Sequence, residues 1–271
     1  MTAPFFPAGR AGILDSALHR RGQERFSGTL RIEGAQDGTV TLRDGLVIAA
    51  ATPASPGPES LLLRSGRISE ADWTEAFAAA APHGRMPAEL VERGLLGTAG
   101  LQVLTQVAVM DALFAMALFG VRTCTAQPDG DGDIGPLLPA EPGLEAERVV
   151  RETTRRLAAA TRWRESGVEI TARPLPAPPA VDQDTGTPRG DVLTKVNGRR
   201  TARDIAFALG RGLYSVMNDL ATLAEDGLVR FGDQEPGQGM ALVPEPPSHT
   251  LPRRLRGASG IDDVLPWNGP S

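Results

Sequence analysis

The stretch that decides the fold runs GTLRIE (28–33), GTVTLR (38–43), Asp44-Gly45, then LVIAAA (46–51). In the first run Leu30 and Ile32 alternate with polar neighbours, and in the second Val40 and Leu42 do the same. A period of two places one set of side chains on one face of a sheet and the rest on the other. Asp-Gly between two such runs marks a tight hairpin, because a type I′ turn needs positive φ at both central residues. Asp37-Gly38 marks a second turn, and the segment Pro53 to Pro58 ends the sheet. The expectation is a small antiparallel meander.

Around this meander the period changes to that of helices. Ala11 to Arg21 carries Ile13, Leu14, Ala17 and Leu18 at helical spacing. Downstream, RSGRISEADW (64–73) and ERGLLGTAGL (92–101) share a pattern offset by 28 residues, each with a glycine where a helix should end. Ser69 with Asp72 forms a capping box for the next helix, and Thr98 is a weaker cap before a longer one. Two copies indicate helical hairpins, not a solenoid, which needs about three repeats.

Leu101 to Phe119 is nearly all apolar. Gln102, Gln106 and the mid-segment Asp111 oppose a membrane span, since a central Asp costs roughly 2.5–3.5 kcal/mol on insertion. A core helix, apolar around most of its circumference, is expected instead. Asp111 is its one polar oddity. A hydrogen bond to a nearby backbone donor would account for it.

The 271 residues suffice for one large domain or two modest ones. The 31 glycines and 23 prolines make up about a fifth of the chain, against roughly 12% in average usage. Their excess sits in linker-like stretches. Aromatic content is only 4%, so the cores must be rich in Ala, Leu and Val. Residues 128–143 read as a linker, 144–172 as a connecting helix and short strand, and 173–188 as a Pro-rich linker. From 189 to 243 three short helices precede two strands: a helix with Val192, Leu193 and Val196, a second capped by Thr201, and a third from Tyr214 to Glu225. Leu228–Phe231 and Met240–Val243 then flank a polar loop, which is the order of a winged helix. Residues 244–271 read as a largely disordered tail, with Ile261 to Trp267 a docking segment within it.

The meander with its Asp-Gly turn, followed by ESLLL (59–63) and glycine-terminated helices, resembles the PATAN (PatA amino-terminal) domain over residues 10–127. That resemblance implies a bacterial signalling adaptor without catalytic residues, whose protein partner is a receiver domain, a small GTPase or a GTPase regulator. The 189–243 unit looks like the winged-helix modules of transcriptional regulators, which implies DNA as an alternative partner. The expected fold class is α+β: a small antiparallel sheet with helical hairpins, plus a C-terminal winged-helix module.

Charge bears on that alternative. The net charge is −5, and residues 189–244 hold as many acidic as basic side chains, so no segment has the positive field that drives nucleic-acid affinity. A DNA reader places Arg, Lys, Asn or Gln towards base edges near the start of its third helix. Arg211 and Asn218 stand there, against Asp219, Glu225 and Asp226, and the wing Gly232–Gly239 carries Asp233 and Glu235 but no base. Arg199, Arg200, Arg203 and Arg211 cluster around the second helix, so these four and Asn218 are the candidate contacts to a protein or a phosphate backbone.

The sequence offers no catalytic, cofactor or metal motif. Cys124 has no second cysteine to pair with, which excludes an intramolecular disulfide and a cysteine-clamped zinc, and small neighbours suit it to packing. His19, His83 and His249 are far apart. No Walker A loop, dinucleotide-binding glycine motif or nucleophile elbow occurs. Asp129, Asp131 and Asp133 imitate a calcium loop, but Ile134 and Ala140 stand where Gly and Glu are needed. Residues 1–10 lack the apolar core of a signal peptide, so the expectation is a cytoplasmic, non-enzymatic protein with no membrane partner.

Overall fold

The Asp44-Gly45 turn forms as its composition demands. In the computed structural model, which describes residues 8–130, 135–177 and 186–232, Asp44 has φ 50° and Gly45 φ 81°. The turn joins β2 (Gly38–Arg43) to β3 (Leu46–Ala51), with Arg43 opposite Leu46. β1 (Gly28–Gly34) pairs antiparallel with β2, from Gly28 opposite Leu42 to Ile32 opposite Gly38. Leu30, Ile32, Val40, Leu42 and Val47 are all buried. The alternation in sequence is thus the alternation of the two sheet faces.

Two further strands extend the sheet. β4 (Val121–Pro128) runs antiparallel along β1, and β5 (Leu144–Glu145) adds a short edge beside β3, in the order β4-β1-β2-β3-β5. Neither follows from local pattern. β4 exposes most of its residues at the sheet edge, so it has little hydrophobic alternation to read. The stretch expected as a linker, 128–143, is packed in its second half: Leu138 and Ala140 are buried, and the Ala140 N–H donates to the Ile48 carbonyl at 2.7 Å.

The inner sheet face is covered by α1 (Ala8–Gln23), α5 (Thr98–Phe119) and α6 (Ala146–Glu165). Leu14 and Leu18 of α1 join Leu30, Ile32, Val40 and Leu42 in one core with Leu113 and Met116 of α5 and Val149 of α6. Each such large side chain contributes about 1.5–3 kcal/mol by leaving water. A second core lies under α2 (Pro58–Arg64), α3 (Glu70–Ala80) and α4 (Met86–Glu92), where Trp73, Met86 and Leu90 meet Leu101, Leu104 and Ala108 of α5. Gly66 and Gly94, the repeated glycines, follow α2 and α4 in left-handed conformation, at φ 70° and 68°. Ser69 accepts from the Asp72 N–H as the α3 cap; α5 begins at Thr98 itself, after Gly97, with no side-chain cap.

The third core gathers α7 (Pro188–Lys195), α8 (Ala202–Leu209) and α9 (Leu213–Glu225) against Phe114 and Ala115 of α5 and Ala160 and Trp163 of α6. Thr201 and Asp204 make a reciprocal capping box at the start of α8. β7 (Val229–Phe231) pairs antiparallel with β6 (Pro174–Pro176), inside the stretch expected as a Pro-rich linker. Within 144–172 the one strand is β5, at its start, followed by α6. These helices share their core with α5 and α6, and all described residues lie in one compact unit that ends at Gly232. The loop and second strand expected over residues 233–243, and the tail at 244–271, lie outside the described residues.

α5 contributes to all three cores, which is why it is apolar on nearly every side. It is also the one helix among the described residues long and apolar enough to cross a membrane by length and composition, with 72% of its most apolar window buried.

A methyl group at Gly45 would lie 2.5 Å from the Gly22 carbonyl oxygen and require positive φ. Gly45→Ala should lower stability to urea by about 1–3 kcal/mol. Gly12→Ala, inside α1 with open space around it, should instead add about 0.5–1 kcal/mol.

Candidate interaction surfaces

Four arginines and one asparagine were expected to form a contact surface on the C-terminal helices. The structure does not hold them together as one free patch. Arg211 donates to the Pro188 carbonyl and to Ser215 Oγ, and pairs with Asp219 at 2.6 Å. Arg203 donates from Nε to the Pro53 carbonyl at 3.0 Å, and its guanidinium lies 5.7 Å from the Phe207 ring centre. Arg200 is half-buried, while Arg199 and Asn218 are exposed. Arg200 Nη1 also donates to the Lys195 carbonyl at 3.5 Å, so three of the five tie loops and helices to one another.

The start of α9, which a recognition helix would offer to base edges, is covered on one face, while Ser215 and Asn218 on the other are exposed. Leu213 is fully covered, and Tyr214 packs edge-on against Phe114 with ring centres 5.4 Å apart and tilted against Trp163 at 5.2 Å. Gly212 is the N-cap and brings no capping side chain. Asp111 of α5 takes that place. A Cβ added to Gly212 would come within 2.3 Å of Asp111 Oδ2, so only glycine lets the carboxylate approach.

Asp111 is 2% exposed. Its Oδ1 accepts from Arg156 Nη1 at 2.5 Å, with the carboxylate buried and the guanidinium nearly so. Its Oδ2 faces the first turn of α9 without a hydrogen bond of full geometry, yet the N–H groups of Tyr214 and Leu213 stabilise its charge. The contact is therefore with the positive end of the helix rather than with one donor. Burial pushes the Asp111 carboxyl above its ordinary value, and the Arg156 charge and these amides oppose that shift. The backbone donors expected near Asp111 are the Leu213 and Tyr214 N–H groups, and an ion pair with Arg156 is added to them.

Arg156 is held in turn by its neighbours. It donates from Nε to Glu152 Oε1 at 2.7 Å, and its guanidinium lies 4.6 Å from the Tyr214 ring centre. Glu152 also accepts two bonds from Arg155 at 2.7 and 2.8 Å. The Arg155 bonds, with those from Arg156, hold the Glu152 carboxyl down at about 2 against the opposing effect of burial.

Beside this junction α5 and α6 leave an open groove of about 460 Å³. Its apolar side carries Val103 and Val107, 62% and 37% exposed, with Met110 below them. Its other wall carries Arg148, Arg151, Arg155 and Arg156 with the single carboxylate Glu152. Arg148, Arg151 and Arg155 recur at i, i+3 and i+7, which aligns them on one helix face. This surface was missed in the sequence because charge was summed over segments. Acidic residues flanking α6 cancelled an arginine stripe that only the helical spacing reveals.

Among the described residues, the other singled-out side chains form no reactive constellation. His19 and His83 are exposed and far apart in sequence, while His249, Asp131 and Asp133 lie outside the described residues. Among the described residues no group of three or more His, Cys, Asp or Glu side chains is placed to hold a metal ion. Cys124 is half-buried on β4, and burial raises its thiol to about 11, so it stays protonated and weakly nucleophilic near neutrality. Comparison of the chain with protein families, with curated proteins and with solved structures finds no match.

Removing one partner of a buried ion pair strands the other charge, at a penalty of about 3–5 kcal/mol. Asp111→Ala should therefore lower stability by about that amount, whereas the double variant Asp111→Leu/Arg156→Met should regain most of it, both read by denaturant unfolding. The Glu152 carboxyl titrates lower in the folded chain than its ordinary 4.5, so the unfolded chain binds this proton more tightly. Its stabilising effect is complete above about pH 5 and disappears as pH falls towards 2. The stability difference between wild type and Glu152→Gln should shrink over that window and be constant above it.

Proposed function

We propose that this chain is a non-enzymatic bacterial signalling adaptor that acts through protein–protein contacts. Its sheet and helical hairpins form a PATAN-like half, and α7 to α9 belong to a winged-helix-like module that serves as a second contact surface. The single observation that carries this reading is that the first turn of α9 packs one face against α5 and α6, with Leu213 fully covered and Tyr214 half-buried. Helix-turn-helix proteins read bases with the N-terminal residues of the recognition helix. Here Gly212, Leu213 and Tyr214 face Asp111, Phe114 and Trp163, which leaves Ser215 and Asn218 as the exposed side chains of that end. The internal bonding of Arg203 and Arg211 supports the same reading, since side chains held this way are poorly placed to meet phosphates.

The second reading is a transcriptional regulator that binds DNA through the winged helix. Exposed Arg199 and Asn218 favour it, with half-buried Arg200 beside them. Under the adaptor reading the protein partner is a receiver domain, a small GTPase or its regulator, in the cytoplasm.

The two readings separate in a salt series. With the full chain and mixed genomic DNA, an adaptor should show almost no binding at any salt concentration. Under the alternative, affinity should fall steeply between about 50 and 200 mM salt, and Arg199→Ala/Arg200→Ala should weaken it. Such a slope would overturn the adaptor reading.

A further inference from the structure

We propose that the groove between α5 and α6 is the docking site for an acidic amphipathic helix of a partner protein. The inference rests on the adaptor reading and assigns it a surface. Val103 and Val107, one turn apart on α5, form an exposed apolar stripe on a helix that is otherwise buried along most of its length. A stripe at i and i+4 matches the anchors by which a second helix lies in a groove.

The wall beside the stripe sets the chemistry of the occupant. Glu152 is already bonded to Arg155 and Arg156, and Asp111 is bonded to Arg156. Among the described residues, Arg148 and Arg151 have no carboxylate within ion-pair distance, and both are exposed. Two uncompensated guanidiniums next to an apolar strip match a helix with leucine-type anchors on one side and Asp or Glu beside them. Guanidinium is suited to such contacts because its planar fork meets a carboxylate with two parallel bonds. An apolar floor gives a nucleic-acid backbone nothing to bind, which is why a protein helix is the favoured occupant over DNA.

The groove also abuts the junction that holds α9. The Cβ of a residue at 212 would lie 3.4 Å from Val107 Cγ1 and 2.3 Å from Asp111 Oδ2. Arg156 lines the groove and ties α6 to Asp111. A ligand seated there contacts the sheet-bearing half and lies beside the start of α9 at once.

The test uses the full chain and fluorescence anisotropy with a labelled helical peptide carrying Leu at i, i+4 and i+7 and Glu on the flanking positions. Controls are its Lys-for-Glu counterpart and a mixed-sequence DNA duplex. The Glu peptide should bind at least about tenfold more tightly than the Lys peptide, and more weakly as salt rises. Arg148→Ala/Arg151→Ala should weaken it about tenfold, and Val103→Asp similarly. All three positions are exposed, and circular dichroism checks that the fold is retained. Equal binding of the Glu and Lys peptides, tighter binding of the duplex, or no effect of the variants would overturn the groove assignment. So would a dimer, seen by sedimentation, that Val103→Asp dissociates, because the occupant would then be a second copy. If a receiver domain or GTPase binds and these variants leave its affinity unchanged, the groove assignment fails while the adaptor reading stands.

Discussion

The architecture depends on where the negative charge of Asp111 is placed. A carboxylate 2% exposed in the middle of an apolar helix is unfavourable by several kcal/mol unless it is matched. It is matched from two directions, by Arg156 on α6 and by the start of α9. Three helices that are distant in sequence are thereby held in one relative position. Hydrophobic contact alone would be satisfied by many sliding arrangements of α5, α6 and α9. An ion pair with a carboxylate set against a glycine-capped helix end admits few.

That constraint explains the odd composition of α5. The helix is shared by three cores: the sheet layer, the α2–α4 hairpins and the C-terminal helices. A helix enclosed on so many sides must be apolar around its axis, and its length and hydropathy then resemble those of a membrane span. The same sharing joins the C-terminal helices to the rest of the described chain. What reads in sequence as a separate small module uses Phe114, Ala115, Ala160 and Trp163 to complete its interior.

The surface follows from the interior. Because α6 turns Val149, Thr153, Ala160 and Trp163 inward, its arginines must lie at the margin of that face or outside it. Arg156 is drawn into the junction. Arg148, Arg151 and Arg155 remain along the groove, beside the part of α5 that no other element covers. The basic wall and the exposed valines are thus by-products of how the buried faces are chosen. This is an economical way for a protein of net negative charge to present a local cationic stripe.

Much of the scaffold was legible from the residues alone. Strand alternation around Asp44-Gly45, the caps at Ser69 and Thr201, the glycine stops at Gly66 and Gly94 and the central helix all arise from φ/ψ preferences and periods that act within a few residues. Those effects are local, so a linear reading can find them. β4 and β5 were not legible, because an edge strand gains its pairing from a neighbour far along the chain. The packing of one face of the α9 start and the internal bonding of Arg203 and Arg211 were not legible either. The Asp111–Arg156 pair joins residues 45 apart, and α9 lies further on still. Charges separated by that much chain meet only after apolar faces have packed, so the sequence determined which elements exist, and tertiary packing alone decided which charges are buried together and which are left facing a groove.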